Sequence, residues 1–168
     1  MATRVAVLSD SHVGQRISVY PDDFLARLKD FDLIIHAGDH SNAASYTALK
    51  TAGEVVAVFG NMDEVELSSL LPARILREIE GVRVGVMHGW GPSAGLEAKV
   101  RDEFDGLDMP VDVIIFGHSH KPMDEMVRGV RMLNPGSFSG NITDGEGSWG
   151  ILTIDGDDVE WEIVPIGI

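Results

Sequence analysis

Five short apolar runs divide the chain, and each of them is rich in valine and isoleucine. Almost every position within a run is apolar, which is typical of strands that are covered on both faces. The pattern therefore predicts the strands of a buried, mostly parallel sheet. The predicted strands are Val5–Leu8, Leu33–Ala37, Val55–Phe59, Val82–Met87 and Val113–Phe116.

Helix-like stretches lie between these strands. Asp22–Lys29 follows Pro21, a residue favoured where helices begin, and Asn42–Ala52 follows Ser41, a plausible N-cap. A third stretch, Ser93–Phe104, follows a Gly-Pro pair. Strands that alternate with helices indicate βαβ units and parallel pairing.

The C-terminal third has a different pattern, with short strand candidates separated by turns. Asp155-Gly156 is a hairpin signal between the last two candidates, which indicates antiparallel pairing. A parallel first part and an antiparallel second part predict an α/β (α+β) fold, a sandwich of two sheets flanked by helices. The predicted C-terminal strands are Glu125–Val130, Arg131–Leu133, Gly150–Ile154 and Val159–Pro165.

Composition narrows the function classes. The 168 residues, which we expect to form a single domain over 1–168, include 13 basic and 27 acidic residues, so the formal charge is 13 − 27 = −14. This acidity argues against binding of long nucleic acid or of an anionic membrane surface. The absence of cysteine excludes disulfides and thiolate metal sites. With no apolar run long enough for a membrane span, the sequence predicts a cytoplasmic protein.

Polar residues follow each of the five predicted strands. Five of the six histidines lie in these segments. Because the carboxyl ends of parallel strands meet at one edge of a sheet, we expect these side chains to lie together. The segments contain Asp10 and His12; Asp39 and His40; Asn61, Met62 and Asp63; His88 and Trp90; and His118 and His120.

The residue types in these segments indicate a metal centre. Carboxylate, imidazole and amide ligands without thiolate suit divalent Mn, Fe, Zn, Co or Ni. In Asp10-Ser11-His12 and His118-Ser119-His120, two ligands stand two positions apart, so in an extended segment they point the same way. Seven candidate ligands exceed the needs of one ion, and two neighbouring ions fit the number better.

The ordered motifs Asp-x-His, Gly-Asp, Gly-Asn, His-Gly and Gly-His-x-His resemble the signature of the calcineurin-like metallophosphoesterases. The resemblance runs from Asp10 to His120 and continues into Asn134-Pro135-Gly136-Ser137, a segment typical of the small bacterial and archaeal branch. It implies a four-layer αββα sandwich of two mixed sheets. It also implies two divalent cations, manganese above all, and hydrolysis of a small phosphodiester by a metal-bridging hydroxide.

The resemblance assigns a role to each candidate ligand. It implies that the metal ligands Asp39, Asn61 and His12 also take part in catalysis. The chain differs from many members of that family at Met62, where they carry a histidine that helps the leaving group. A metal, a water molecule or a histidine such as His12 or His40 must then stabilise the leaving oxygen. By motif, Asp10, His12 and His120 match the ligands of one metal, Asn61, His88 and His118 those of the second, and Asp39 the bridging carboxylate.

Four further residues are candidates for substrate binding, each with a structural alternative. His40 either lines the cleft or caps the helix that follows it. Asp63 either orients a ligand or serves a turn, and Trp90 either stacks on an aromatic group or packs. Asn134 either contacts substrate or belongs to a turn behind the site. His36, inside a predicted strand, is interpreted as a core histidine with satisfied hydrogen bonds.

Three functions remain open on the sequence. The leading one is a phosphodiesterase that acts on a small phosphodiester. The second is a protein-binding scaffold of the same fold, as in the retromer subunit that resembles this family, and the third is a phosphomonoesterase or protein phosphatase. The short C-terminal strands offer an edge through which a homo-oligomer is possible.

Overall fold

A computed structural model of the chain describes residues 1–140 and 146–166. The predicted domain of residues 1–168 also extends over positions 141–145 and 167–168, which lie outside the described residues. The described elements, in chain order, are β1 (Thr3–Leu8), α1 (Asp22–Leu28), β2 (Leu33–His36), α2 (Ala43–Ala52), β3 (Val55–Ala57), α3 (Val65–Leu70), β4 (Arg74–Ile79), β5 (Val82–Met87), α4 (Leu96–Asp102), β6 (Val113–Phe116), β7 (Met123–Val127), β8 (Val130–Asn134), β9 (Gly147–Asp155) and β10 (Asp158–Ile166).

The strands form two five-stranded mixed sheets. The first has the order β10-β9-β1-β2-β3 and the second the order β4-β5-β6-β8-β7. In the first sheet β1, β2 and β3 are parallel, whereas β9 and β10 pair antiparallel at one side. In the second sheet β5, β6 and β8 are parallel, and β4 and β7 are antiparallel edge strands.

The continuous apolar runs are explained by burial on both faces. On β1, Val5 and Val7 join the core between the two sheets, and Ala6 and Leu8 join a second core beneath the helices. Side chains of a strand alternate between its faces, so a strand that is covered on both sides has no polar position. The two cores thus account for a run that shows no alternation in the sequence.

Helices cover the outer face of each sheet. Leu28 of α1 and Leu49 of α2 pack in the core outside the first sheet. Leu96 and Val100 of α4 pack with Phe116 of β6 outside the second sheet. The result is a sandwich of two mixed sheets between helices, which confirms the predicted fold class.

The structure corrects one inference about the strands that precede the polar segments. The sequence suggested that they share one sheet edge, but β1, β2 and β3 belong to the first sheet and β5 and β6 to the second. An apolar run on its own does not say which sheet it joins, because both sheets are covered on both faces.

Helix ends also differ from the prediction. α2 begins at Ala43, and its N-cap is Asn42, whose side chain accepts a hydrogen bond from Ser45 N–H at 2.8 Å. The predicted N-cap, Ser41, instead has a left-handed φ of 88°. α4 begins only at Leu96, because the preceding Gly95 is left-handed. Among the described residues, no helix has the length and apolar character needed to cross a bilayer.

Turns define the C-terminal hairpins. Arg128 and Gly129 both have positive φ, at 47° and 82°, as a two-residue turn that matches the strand twist requires. The predicted strand Glu125–Val130 is therefore wrong at its end, because Val130 is the first residue of β8. The predicted hairpin at Asp155-Gly156 is confirmed, with β9 ending at Asp155.

Two elements were not predicted. α3 and β4 lie between β3 and β5, and both are largely exposed, with few buried side chains. Their sequences, VELSSL and RILREI, carry too few apolar residues in register to be distinguished from a loop. β4 nevertheless pairs along its full length with β5.

The core between the sheets should carry most of the stability. Leu152 of β9 is fully buried there, whereas Leu76 of β4 is 43% exposed. We expect Leu152→Ala to lower the free energy of unfolding by about 2–5 kcal/mol, because it leaves a cavity. The matched variant Leu76→Ala should change it by about 0.5 kcal/mol or less. Urea unfolding at equilibrium measures both, and equal losses would contradict this assignment of the core.

Candidate metal centre

The carboxyl ends of strands from both sheets meet at one side of the sandwich. The first sheet supplies the segments after β1, β2 and β3, and the second those after β5 and β6. Two contacts join the sheets there: the backbone N–H of His118 donates to Asp10 Oδ2 at 3.0 Å, and His88 Nδ1 contacts the Ala37 carbonyl at 2.7 Å. The seven predicted ligands therefore come from two sheets instead of one.

The segments after β1 and β2 continue to pair beyond the ends of their strands. Asp10 N–H donates to Gly38 O at 3.0 Å, and His12 N–H donates to Asp39 O at 3.1 Å. Such pairing holds the two carboxylates in a fixed relation.

Most of the candidate ligands have strained backbones. Non-glycine residues in the left-handed region cost of order 1–3 kcal/mol each and concentrate at functional sites. Eight non-glycine residues with positive φ occur in the described part of the chain, and five of them are candidate ligands. These five are Asp10, His12, Asp39, His118 and His120, with φ between 45° and 69°.

Glycines allow the segments to approach closely. A methyl group at Gly60 would collide with Asp39 Oδ1, and one at Gly117 would collide with Ser9 Oγ and Asp10 Oδ2. The Gly-Asn and Gly-His motifs therefore need glycine, because a side chain at either position would overlap the atoms of the buried carboxylates.

Asp10, His12 and His120 form the first group of candidate ligands. Asp10 Oδ1 lies 3.2 Å from His120 Nε2 and 3.9 Å from His12 Nε2. One donor atom from each of the three residues lies within 4.8 Å of the others. This is the set that the motif comparison assigned to one metal.

The second group is Asp10, Asp39 and His88. Asp39 Oδ2 lies 3.2 Å from His88 Nε2 and 3.8 Å from His12 Nε2, so it touches a member of each group. Asn61 Oδ1 lies 3.1 Å from His88 Nε2, which adds the amide oxygen to the second group. Asp10 is the member common to both groups, whereas Asp39 belongs to the second and approaches His12 of the first.

The two carboxylates are buried without a basic partner. In the described part of the chain, Asp10 and Asp39 approach only histidines within ion-pair distance. Asp10 Oδ1 and His12 Nε2 are buried and lack an aligned hydrogen-bond partner. Buried carboxylates need compensating positive charge, and unpaired donor atoms are available to bind it, so these residues fit a divalent cation.

The ionisation of these groups shows the same attraction for positive charge. Burial would lower the pKa of His88, but Asp10 and Asp39 outweigh it and raise this pKa to about 9. Burial would raise the pKa of Asp10, but His88 and His120, with a hydrogen bond from Ser9, lower it to about 2. In each case the attraction between carboxylate and imidazolium outweighs burial: the carboxylates raise the pKa of His88, and the imidazoles lower the pKa of Asp10.

His118 stands apart from both groups. Its ring lies 5.3 Å from that of His88, centroid to centroid, and its Nε2 contacts the Gly91 carbonyl at 2.8 Å. The structure therefore brings six of the seven predicted ligands together. The ring of the seventh, His118, lies beside them, and its Nε2 is hydrogen-bonded to a backbone carbonyl.

Asp63 is a positioning residue. Its carboxylate accepts backbone N–H bonds from Asp39 at 3.1 Å, Ser41 at 2.7 Å and Gly60 at 2.7 Å. These bonds hold the segment after β2 against the segment after β3, which agrees with the predicted role of orienting a ligand. Substrate binding by this carboxylate is not supported, because its oxygens are already engaged.

Two other substrate candidates are corrected by burial. His40 is fully buried, stacks on His36 at 3.6 Å and bonds to the Val58 carbonyl at 3.1 Å. Asn134 is also fully buried and donates to Gly117 O at 3.1 Å. Neither side chain is able to touch a substrate from these positions. Asn134 instead supports the segment that carries His118 and His120, and His40 lies behind the centre.

Trp90 and Met62 remain accessible. Trp90 is 40% exposed, and Lys99 donates to its carbonyl oxygen at 2.8 Å while lying 5.2 Å from its ring centroid. Met62 is 48% exposed, and its backbone N–H donates to Asp39 Oδ1 at 2.8 Å. Met62 directly follows Asn61, and Trp90 lies two positions after His88. Both side chains face solvent.

Three supporting residues were not predicted. Ser9 Oγ donates to Asp10 Oδ2 at 2.7 Å, and Ser137 Oγ donates to the Asp10 carbonyl at 2.9 Å. Ser11, between two ligands, bonds to His36 at 2.8 Å. For Ser9 and Ser11 a signal was available in the sequence, because each is a polar residue directly beside a candidate ligand. His36 has both ring nitrogens bonded, which confirms its interpretation as a satisfied core histidine.

Comparison with known proteins agrees with this geometry. The family model described as the calcineurin-like phosphoesterase superfamily domain matches residues 3–157. A probable metallophosphoesterase of Methanothermobacter thermautotrophicus is 36% identical over 164 residues, covering 97% of this chain and 92% of its own. A phosphodiesterase of Methanocaldococcus jannaschii is 25% identical over 157 residues, covering 83% of this chain and 87% of its own.

A solved structure of similar sequence has the same fold. The solution structure of a Thermotoga maritima protein superposes with a TM-score of 0.77 at 35% identity, covering 98% of this chain and 99% of its own. With its fold, its ordered motifs and its paired ligand groups, the chain belongs to the calcineurin-like phosphoesterase superfamily.

Proposed function

We propose that the chain is a phosphodiesterase that holds two divalent cations and hydrolyses a small phosphodiester. The observation that carries the proposal is the pair of buried carboxylates, Asp10 and Asp39, each within ion-pair distance of two or three imidazoles. Among residues 1–140 and 146–166, neither carboxylate has a lysine or arginine at that distance. Asp10, His12 and His120 would hold one cation, and Asp39, Asn61 and His88 the other, with His118 as a further ligand of the second.

Bound cations would supply Lewis acidity, lowering the pKa of water and neutralising phosphate oxygens. The two ligand groups together contain two carboxylates, Asp10 and Asp39, so two divalent cations give 2 × 2 − 2 = +2. A singly charged phosphodiester and a hydroxide nucleophile together neutralise that charge. A doubly charged monoester would exceed it by one, which favours diesters.

The residues of the chain determine the orientation of the ligands. The Ala37 carbonyl accepts the proton of His88 Nδ1, so Nε2, which lies 3.2 Å from Asp39 Oδ2, is the ring nitrogen that would bind a cation once its own proton is displaced. Asp63 holds the backbone of Asp39, and Ser9 holds Asp10 Oδ2. Because these contacts exist in the chain itself, the ligands are oriented before a cation binds.

The leaving group is the point at which this chain differs from many relatives. Met62 has no proton to donate, the candidate histidine His40 is buried away from the centre, and the other candidate, His12, would be engaged as a metal ligand. The chain should therefore prefer diesters whose leaving groups depart without protonation. The exposed indole of Trp90, which follows the loop of His88, is available to contact an aromatic leaving group.

Supporting arguments extend the proposal to partners and metal. The formal charge of −14 disfavours long nucleic acid, so we propose a small diester as substrate. Manganese is the proposed native metal, since a set of carboxylate, imidazole and amide ligands accepts it. The Methanocaldococcus jannaschii relative that is named a phosphodiesterase supports the choice of diester.

Loss of the central carboxylate charge should abolish activity. Asp39→Asn keeps the shape of the side chain but removes the charge that a cation needs, so kcat/KM for bis-p-nitrophenyl phosphate should fall by about 10²-fold or more. The control is Asp112→Asn, since Asp112 bonds to Arg83 N–H at the opposite end of the second sheet. Unchanged activity of Asp39→Asn, or faster hydrolysis of p-nitrophenyl phosphate by the parent chain, would contradict a diesterase.

Metal content should report the two groups separately. The parent chain, loaded with Mn²⁺ and desalted, should retain two ions per chain by elemental analysis. His120→Ala removes a ligand that belongs to the first group alone, so it should retain one. A parent chain that holds a single ion, or a variant that still holds two, would contradict a dinuclear centre.

Restoring a proton donor should widen the range of leaving groups. Met62→His places an imidazole at the exposed position that follows Asn61. Rates with an alkyl leaving group should rise by up to about 10²-fold, and those with p-nitrophenolate should change little. Met62→Leu is the matched control, because it keeps an apolar side chain. An equal change for both leaving groups would show that the imidazole does not act as an acid.

A further inference from the structure

His36 lies at the end of β2 with both ring nitrogens engaged. Gly38 N–H donates to His36 Nδ1 at 3.1 Å, and His36 Nε2 lies 2.8 Å from Ser11 Oγ. An imidazole nitrogen that accepts a hydrogen bond carries no proton, so the proton of the neutral ring is on Nε2 and is donated to Ser11. Burial keeps the pKa of His36 well below its ordinary value, consistent with a neutral ring.

These two bonds reach two different ligand segments. Ser11 stands between Asp10 and His12 in the segment after β1. Gly38 directly precedes Asp39 in the segment after β2. A single side chain therefore contacts both of the segments that supply the buried carboxylates.

Further contacts fix the ring itself. Tyr20 O–H donates to Ser11 Oγ at 2.7 Å, which gives that oxygen a second donor. His40 stacks on His36 with an interplanar angle of 20°, and its own Nε2 contacts Val58 O at 3.1 Å. The ring is therefore held in its plane by a neighbour and along its edges by hydrogen bonds.

We propose that His36 is a positioning residue of the metal centre, which fixes the Asp10–His12 segment against Asp39. The pairing of the two segments, Asp10 N–H to Gly38 O and His12 N–H to Asp39 O, sets their register. His36 adds a side-chain link on the buried side of that pair. The separation of the carboxylates, and with it the affinity for the cations, depends on this link.

This inference rests on the proposed metal centre, and its test measures metal affinity directly. His36→Leu removes both hydrogen bonds, His36→Asn keeps an acceptor near the place of Nδ1, and His36→Gln keeps a donor near the place of Nε2. The control is Ile34→Ala, on the same strand and equally buried, which packs beneath the helices and contacts neither segment by hydrogen bond. Isothermal titration with Mn²⁺ and thermal unfolding of the metal-free chain are measured for each.

We expect His36→Leu to weaken Mn²⁺ binding by about 10-fold or more, the usual effect of losing a residue that orients ligands. His36→Asn and His36→Gln should each lose less, because each keeps one bond. Ile34→Ala should lower Tm but bind Mn²⁺ within about 2-fold of the parent chain. Where His36→Leu does not fold, the Asn and Gln variants carry the same comparison.

A coupling measurement distinguishes a link from general damage. Ser11→Ala removes the partner of Nε2, so its effect on Mn²⁺ affinity should not add to that of His36→Asn, which has already lost that bond. Affinities of all His36 variants within 2-fold of the parent, or losses matched by Ile34→Ala at equal Tm, would overturn the role of His36. A parent chain that binds no Mn²⁺ and no other divalent ion would overturn the proposed function as well.

Discussion

Two buried carboxylates, whose ion-pair neighbours in the described part of the chain are all histidines, are the constraint on which the rest of this structure depends. Asp10 and Asp39 lie where the two sheets meet, and the side chains within ion-pair distance of them are histidines. Burying a charge without compensation costs several kcal/mol per ion. The surrounding contacts, from Ser9 to the backbone amides of His118 and Met62, reduce this cost only in part. A protonated His88 offsets one of the two negative charges, and bound divalent cations would neutralise the pair, so the geometry fits metal binding.

The backbone of the site carries a second cost that the sandwich offsets. Five candidate ligands have left-handed φ, each of order 1–3 kcal/mol. The core between the sheets and the cores beneath the helices supply the stability that keeps these segments in place. The site lies at the ends of the strands, so strain in the segments leaves the hydrogen-bonded ladders of β1, β2, β5 and β6 intact. The same arrangement explains why glycine is needed at positions 60 and 117, where a side chain would displace a carboxylate.

The sequence predicted the parts of this arrangement that are local. β5 and β6 have the predicted bounds, and the candidate ligands of these segments follow directly after an apolar run ends. Sheet membership was not predictable, because an apolar run covered on both faces is the same in either sheet. The depth of a polar residue was not predictable either. His40 and Asn134 lie in the same motif segments as, or close to, the candidate ligands, yet their hydrogen-bond partners, Val58 and Gly117, come from other segments of the chain. The N-cap at Asn42 was missed because Ser41 is an equally suitable cap in the sequence. In the structure the backbone N–H of Ser41 donates to Asp63.

Net charge and local charge play separate roles in this molecule. Most of the 27 acidic residues lie outside the centre, and residues 132–168 contain seven of them and no lysine or arginine. Surface charge is screened over about 10 Å at moderate ionic strength, so it bears weakly on a substrate already in the site. Inside, Asp10 and Asp39 act at contact distance and in a poorly solvated environment, where their charge sets the pKa of His88. The acidity that disfavours long polyanions would therefore not oppose the proposed small diester, because such a ligand would meet the charge of the centre and of the cations bound there.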